Sequence, residues 1–266
     1  MYKILKNVIP DNNYQEVIEY LTKLSNEVPL IMAKDSYGEF LFQDLAYNQV
    51  MSSNAIKNIL FSEHLIKKIK EKVGGFYLIN YVHGKINSFK AEAHRDGQSF
   101  GFSPEGIKKS SKIIKVLFYM HKDSINIPKG YGIDVNFFDF NLKNIFFYKK
   151  LKRKINFYFE YYLRSRIMKR LDINMGDIIL MDNNCWHRGS FNKLRPTKKE
   201  DYQVKKIMLD YEIVTDKQIA YEYAKYCRSY FVQKNEKNDI NKFNPSFLDG
   251  PHLDVLKRNN IEVLNV

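Results

Sequence analysis

Cysteine is scarce in this chain, with only Cys185 and Cys227 among 266 residues. Two thiols cannot build the disulfide framework that staples small secreted domains, so the fold must rest on its core, and a reducing, cytoplasmic setting is expected. Long hydrophobic runs are missing as well. None approaches the ~20 apolar residues of a membrane-spanning helix, and residues 1–10 meet polar side chains and Pro10 before a signal-like core can form. Proline and glycine are sparse, no stretch reads as a flexible linker, and no internal repeat is present. One domain over residues 1–266 is therefore expected. Acidic residues are outnumbered, 30 against 43 lysines and arginines, for a net charge of +13. That balance favours anionic partners: an anionic metabolite, a membrane surface, or nucleic acid.

What is present is ordinary globular material, 44% apolar, in a chain long enough to bury a substantial core. Tyr14, Val17, Ile18 and Leu21 space an apolar face over a helix at 11–26. Ile56, Leu60, Leu65 and Ile69 repeat the signal over 53–73, with Gly74 and Gly75 as a stop. Residues 76–82, 113–120, 132–140, 178–181 and 203–213 read as strands, and a further helix runs from 216 to about 231.

The chemistry concentrates in two places. His94-Arg95-Asp96 has the spacing that puts two side chains on one face of a strand, so His94 and Asp96 can reach one ion while Arg95 faces away. Far downstream, Gly176-Asp177 opens the apolar strand 178–181, and Trp186-His187-Arg188-Gly189-Ser190 follows it. Two histidines and one carboxylate cover one face of a divalent iron and leave the other open for reaction. His94, Asp96 and His187 are the candidate metal ligands. Cys185, two residues before His187, is read as a small buried residue, because soft sulfur is not what an oxygen-activating site uses. Trp186 is read as core or cavity wall.

These motifs resemble the phytanoyl-CoA dioxygenase-like family of Fe(II)/2-oxoglutarate-dependent oxygenases, over residues 76–213. The resemblance implies a mainly β fold with flanking helices, built on a double-stranded β-helix (jelly-roll, cupin-like) core. The core would span 76–215 with a helical insert at about 142–171, between an N-terminal helical region (1–75) and a C-terminal helical extension (216–266). It implies Fe(II) at His94, Asp96 and His187, with 2-oxoglutarate and dioxygen as cosubstrates. An aspartate at position 96 fits hydroxylation, since halogenating relatives carry a small residue there. The family also places a basic residue on the strand after the distal histidine, against the far carboxylate of 2-oxoglutarate. Lys205, grouped with Ile207, Leu209 and Tyr211, is the first choice. Arg195 is the rival because a guanidinium can grip a carboxylate with two parallel bonds, although Pro196 holds it extended in a loop. Asn80 is a further cosubstrate contact by similarity.

Residues 149–170 interleave basic and aromatic side chains without proline or glycine, which predicts a helix. Such a helix can lie over the sheet, rest in a membrane interface as a peripheral contact, or stack on single-stranded nucleic acid, the least favoured of the three. His83 is expected to be a hydrogen-bonded strand residue, His121 a turn or substrate-facing residue, and His64 and His252 surface residues. The leading expectation is hydroxylation of a small or medium-sized anionic metabolite. The alternatives are a non-catalytic β-helix protein that binds a membrane or polyanion, and an oxygenase of nucleic acid or protein.

Overall fold

Strands covered on both faces read as near-continuous apolar runs, and where one face lines a cavity polar residues enter on that face only. Four central segments of this chain follow that rule. The computed structural model describes residues 2–10, 12–35, 38–89, 93–101, 103–136, 168–190, 195–235, 248 and 250–265. Its strands are β1 (Tyr2–Leu5), β2 (Ile31–Asp35), β3 (Gly38–Leu45), β4 (Tyr77–Ile86), β5 (Ile113–His121), β6 (Ile133–Asn136), β7 (Met168–Arg170), β8 (Ile178–Asp182), β9 (His187–Gly189), β10 (Lys206–Val214) and β11 (Glu262–Asn265).

The larger sheet runs β1-β8-β5-β10-β4-β3-β2, with β11 added parallel to β4. Its other pairings are antiparallel. A smaller antiparallel sheet runs β7-β6-β9, and His94 extends it through reciprocal 2.8 Å backbone bonds to His187. The fold is thus a double-stranded β-helix with flanking helices, as expected from the sequence.

The two faces of the large sheet have different partners. Val82 and Ile86 of β4, Val116 and Phe118 of β5, Leu180 of β8, and Leu209, Tyr211 and Ile213 of β10 point to the outer face. There they meet the apolar stripes of α1 (Asn12–Leu24), α2 (Tyr47–Met51), α3 (Asn54–Leu60) and α4 (Glu63–Val73), contributed by Val17, Leu21, Met51, Ile56, Leu65 and Ile69. The inner face turns Leu117, Tyr119, Ile179 and Met181 toward Ile133 and Val135 of the small sheet. After α5 (Pro104–Ser110), a third cluster forms where Ala220, Tyr223 and Ala224 of α6 (Lys217–Asn235) pack on Ile79, Ile113 and Leu264. Helix α7 (Gly250–Arg258) precedes β11.

The structure departs from the sequence reading in four places. The helix expected over 53–73 is two helices, because Ser62 caps α4 by accepting from the Leu65 amide at 3.3 Å and ends α3 at the preceding residues. The N-terminal region, expected to be helical, also supplies β1, β2 and β3. The Tyr-Lys-Ile-Leu sequence of β1 is too short to declare itself and becomes a strand by pairing with β8. The C-terminal extension likewise ends in a strand, β11. Of the helical insert expected at 142–171, Met168–Arg170 form β7, and the rest, with most of the basic segment 149–170, lies outside the described residues. No helix among the described residues is long and apolar enough to cross a membrane.

Candidate active site

A cavity of about 360 Å³ lies between the sheets. Its wall is built from the inner-facing alternate residues of three neighbouring strands: Ile79, Tyr81, His83 and Lys85 on β4, Lys115, Leu117 and Tyr119 on β5, and Lys206, Met208, Asp210 and Glu212 on β10. Tyr223, Tyr226 and Cys227 of α6 contribute to one side, and His94, Asp96, Ile133, His187 and Gly189 to the other.

His94, Asp96 and His187 each offer a ligand atom to one point, with all three atoms within 4.8 Å of one another. The route differs from the expected one. His94 is a single bridge residue opposite His187, and the chain bends at Asp96 into a short 3-10 turn at Gly97–Phe100. The bend, rather than a regular strand, brings the carboxylate beside the imidazoles, while Arg95 turns away over the Trp186 ring at 5.5 Å. His187 starts β9, and its Nδ1 lies 3.1 Å from the Cys185 carbonyl oxygen. A carbonyl can only accept, so Nδ1 carries the proton and Nε2, 3.6 Å from Asp96 Oδ2, presents its lone pair. Burial keeps the His187 pKa low despite Asp96. Burial alone would raise Asp96, but Lys115 and the two histidines outweigh it and hold the carboxyl well below the usual range. Both groups therefore stand in their metal-binding protonation states at neutral pH.

Lys115, at 2.7 Å from Asp96 Oδ2 and 4.0 Å from Asp210, supplies a cation at the triad's carboxylate. Arg188 and Ser190 brace the β9 segment by donating to the two oxygens of Asp134 on β6, at 3.0 and 2.7 Å.

A second cation lies farther along β10. Lys206 is 2% exposed, donates to the Gly132 carbonyl at 3.3 Å, and sits 5.3 Å from the Tyr119 ring and 5.5 Å from the Phe89 ring. Burial pushes its pKa down to about 7, with Lys85 adding to the effect and Asp134 opposing it. No carboxylate among the described residues forms an ion pair with it.

None of the three residues expected at 2-oxoglutarate lines this cavity. Lys205 points out of the cavity and pairs with Asp123 at 2.6 Å. The expectation placed it on the face of Ile207, Leu209 and Tyr211, but that face is the one buried under the helices. Asn87, in the left-handed region at φ 56°, fixes the register: its side chain accepts from the amides of Lys205 and Lys206, and its own amide donates to the Lys206 carbonyl. Lys206 is thereby the inward residue. Arg195 is buried in a two-bond ion pair with Asp35, both bonds 2.8 Å, and donates to the Gly38 carbonyl. Asn80 faces the helices, where it accepts from the Tyr47 hydroxyl at 2.6 Å and donates to Asn265.

His83 lines the cavity, 2.7 Å from Asp44 and 3.6 Å from Asp210. Burial would lower its pKa, but the two carboxylates raise it. His121 is buried edge-on against Tyr131, not a solvent-exposed turn residue. His64 is exposed, and His252 contacts Asn58. Cys185 and Trp186 are buried, as expected. Sequence reasoning missed Lys206, Lys115, Asp210 and Glu212. The signal for three of them was the alternation of β10, a polar set between large apolar residues, and for Lys115 a charge inside the otherwise apolar β5.

No protein-family model matches this chain, and no curated protein matches it in sequence. Solved structures do match in fold. The non-heme α-ketoglutarate-dependent epimerase SnoN from nogalamycin biosynthesis aligns over 80% of this chain and 78% of its own, with TM-score 0.52 and 10% identity. The same epimerase in complex with Fe3+, α-ketoglutarate and nogalamycin RO covers the same shares at TM-score 0.51 and 10% identity. The non-heme α-ketoglutarate-dependent carbocyclase SnoK from the same biosynthesis aligns over 81% of this chain and 80% of its own, at TM-score 0.51 and 8% identity. At such identities the likeness is one of fold.

Proposed function

We propose that this chain is an Fe(II)- and 2-oxoglutarate-dependent dioxygenase that oxidises a C–H bond of a small or medium-sized polar metabolite, with hydroxylation as the outcome. One observation carries the reading. His94, Asp96 and His187 converge on a shared point in the wall of a cavity that also holds a buried cation, Lys206, without a carboxylate partner among the described residues. The donor set fits iron: two imidazoles and one carboxylate, which can cover one face of the ion and leave the remaining positions open. Lys115, 2.7 Å from Asp96 Oδ2, helps to keep that carboxylate ionised.

Iron bound at the triad with 2-oxoglutarate would supply the oxygen activation that no side chain can. The residues of this chain do the rest. His187, fixed by the Cys185 carbonyl, holds its Nε2 lone pair toward the centre. Lys206 is placed to pair with the far carboxylate of 2-oxoglutarate, and the Phe89 and Tyr119 rings around it exclude water and strengthen that pairing. Leu117, Ile133 and Met208 give an apolar lining that keeps other oxidisable groups at a distance.

The order of the motifs supports the phytanoyl-CoA dioxygenase-like branch. The epimerase and carbocyclase share the fold, so architecture does not choose the outcome, and Asp96 supports hydroxylation over halogenation. Two buried free thiols support a cytoplasmic location. The expected anionic substrate rested on net charge, and the cavity wall bears on it directly.

The test is succinate release from 2-oxoglutarate by the anaerobically iron-loaded protein on exposure to oxygen. Turnover in the wild type that vanishes in His94→Ala and Asp96→Ala is the expected result. A folded protein that binds neither iron nor 2-oxoglutarate refutes the assignment.

A further inference from the structure

Asp210 is an unusual residue for the middle of a sheet. It sits on β10, between β5 and β4, with its side chain 5% exposed and directed into the cavity. Its Oδ2 is buried without a hydrogen-bond partner. The nearest cations are His83 at 3.6 Å and Lys115 at 4.0 Å, separations that neutralise charge without making a hydrogen bond. A buried carboxylate oxygen left without a donor is costly, and in a cavity wall the missing donor belongs to what the cavity binds. Two residues along β4 from His83, the residue paired with Asp210, Lys85 lines the same cavity, and its ammonium makes no hydrogen bond or close ion pair with any described residue, Asp44 and Asp210 acting on it only at longer range. A waiting acceptor and a waiting donor thus stand on adjacent strands.

The charges of this wall also cancel. Apart from the triad and Lys206, the formal charges of Lys85, Lys115 and His83 are matched by those of Asp210 and Glu212 in the lining and of Asp44 behind it, 2.7 Å from His83. Glu212 is already satisfied by the Tyr223 hydroxyl at 2.6 Å and the Asn183 amide at 3.2 Å.

We propose that Asp210 and Lys85 form the substrate subsite of this cavity, and that it takes an uncharged, hydroxyl-rich group such as a polyol or sugar unit. Neighbouring hydroxyls donate to Asp210 and accept from Lys85 at once. A carboxylate or phosphate offers acceptors only, leaves the Asp210 oxygen bare and adds charge to a balanced wall. An ammonium meets Asp210 but leaves Lys85 opposed by like charge. The inference rests on the oxygenase reading for which cavity holds the substrate, and it replaces the anionic metabolite expected from net charge.

Saturation-transfer NMR on the protein loaded with Mn(II) and 2-oxoglutarate tests it. The probes are methyl glucoside and myo-inositol, with glucosamine, glucose 6-phosphate and glucuronate as charged counterparts. The neutral probes should bind in preference to the charged ones, and Asp210→Asn, its fold verified by thermal melting, should weaken them about tenfold or more. His83→Gln, which loosens Asp210 without removing it, should give a smaller loss. Preference for a charged probe, no binding of either neutral probe, or unaltered binding in Asp210→Asn overturns the subsite. Mn(II) and 2-oxoglutarate retention on the same samples separates the two claims. A protein that holds both yet prefers a charged probe refutes the subsite alone, whereas one that holds neither refutes the oxygenase reading and the subsite with it.

Discussion

Replacing Lys206 with methionine should stabilise the protein without 2-oxoglutarate while removing its response to that cosubstrate. The lysine is fully enclosed, and its pKa falls from 10.5 to about 7 through burial, with Lys85 on β4 adding to the fall and Asp134 on β6 opposing it. Tyr119 on β5 also faces it, but burial raises that phenol far above neutrality, so it does not titrate in this range. At ~1.36 kcal/mol per pH unit, the shift corresponds to about 5 kcal/mol of destabilisation below pH 7, where the lysine is charged in both the folded and unfolded chain. Between pH 7 and 10.5 the unfolded chain keeps the proton and the folded one releases it, so stability rises with pH. At pH 9 about 2 kcal/mol of the penalty remains. Methionine has nearly the same volume and no charge to bury. Urea unfolding at pH 6 and pH 9 should therefore show Lys206→Met above wild type, by a margin that shrinks by about 3 kcal/mol at the higher pH. Adding 2-oxoglutarate to the Mn(II)-loaded protein should stabilise the wild type further and leave the Mn(II)-loaded variant almost unmoved. A margin independent of pH, or a variant stabilised by 2-oxoglutarate as strongly as wild type, refutes the role assigned to Lys206.

Other substitutions separate cavity residues from scaffold. Lys205→Ala should leave 2-oxoglutarate affinity within about twofold by calorimetry, because its partner Asp123 lies on the surface and an exposed pair contributes little. Arg195→Met should also spare that affinity, yet cost about 3–5 kcal/mol in urea unfolding by stranding the buried Asp35. Gly84→Ala should destabilise by about 1–3 kcal/mol, since a Cβ would stand 2.9 Å from both Leu45 and Val50, and a melting temperature unchanged from wild type would contradict that packing. Ser62→Ala should cost about 1 kcal/mol by removing the α4 cap, and substitution by glycine should cost only a few tenths.

The candidate metal ligands and the kind of fold were legible in the order of residues alone. His94, Asp96 and His187 were legible because ligand chemistry restricts residue type, and the apolar periods of 113–120, 178–181 and 11–26 were legible because burial on one face imposes a spacing on any chain. Which of two neighbouring lysines enters the cavity was settled by packing. Lys205 and Lys206 differ by one step in a strand whose side chains alternate, and that step is set by Asn87, more than a hundred residues away, gripping both amides. The same dependence on distant partners hid β1, which is a strand only because β8 is beside it, and Arg195, whose carboxylate is Asp35 and not a ligand. It also hid Asp210, which reads in sequence as one acid among many. Only the pairing of β10 between β4 and β5 buries it with an unmet oxygen, because burial and hydrogen-bond satisfaction belong to the packed chain and not to the residue.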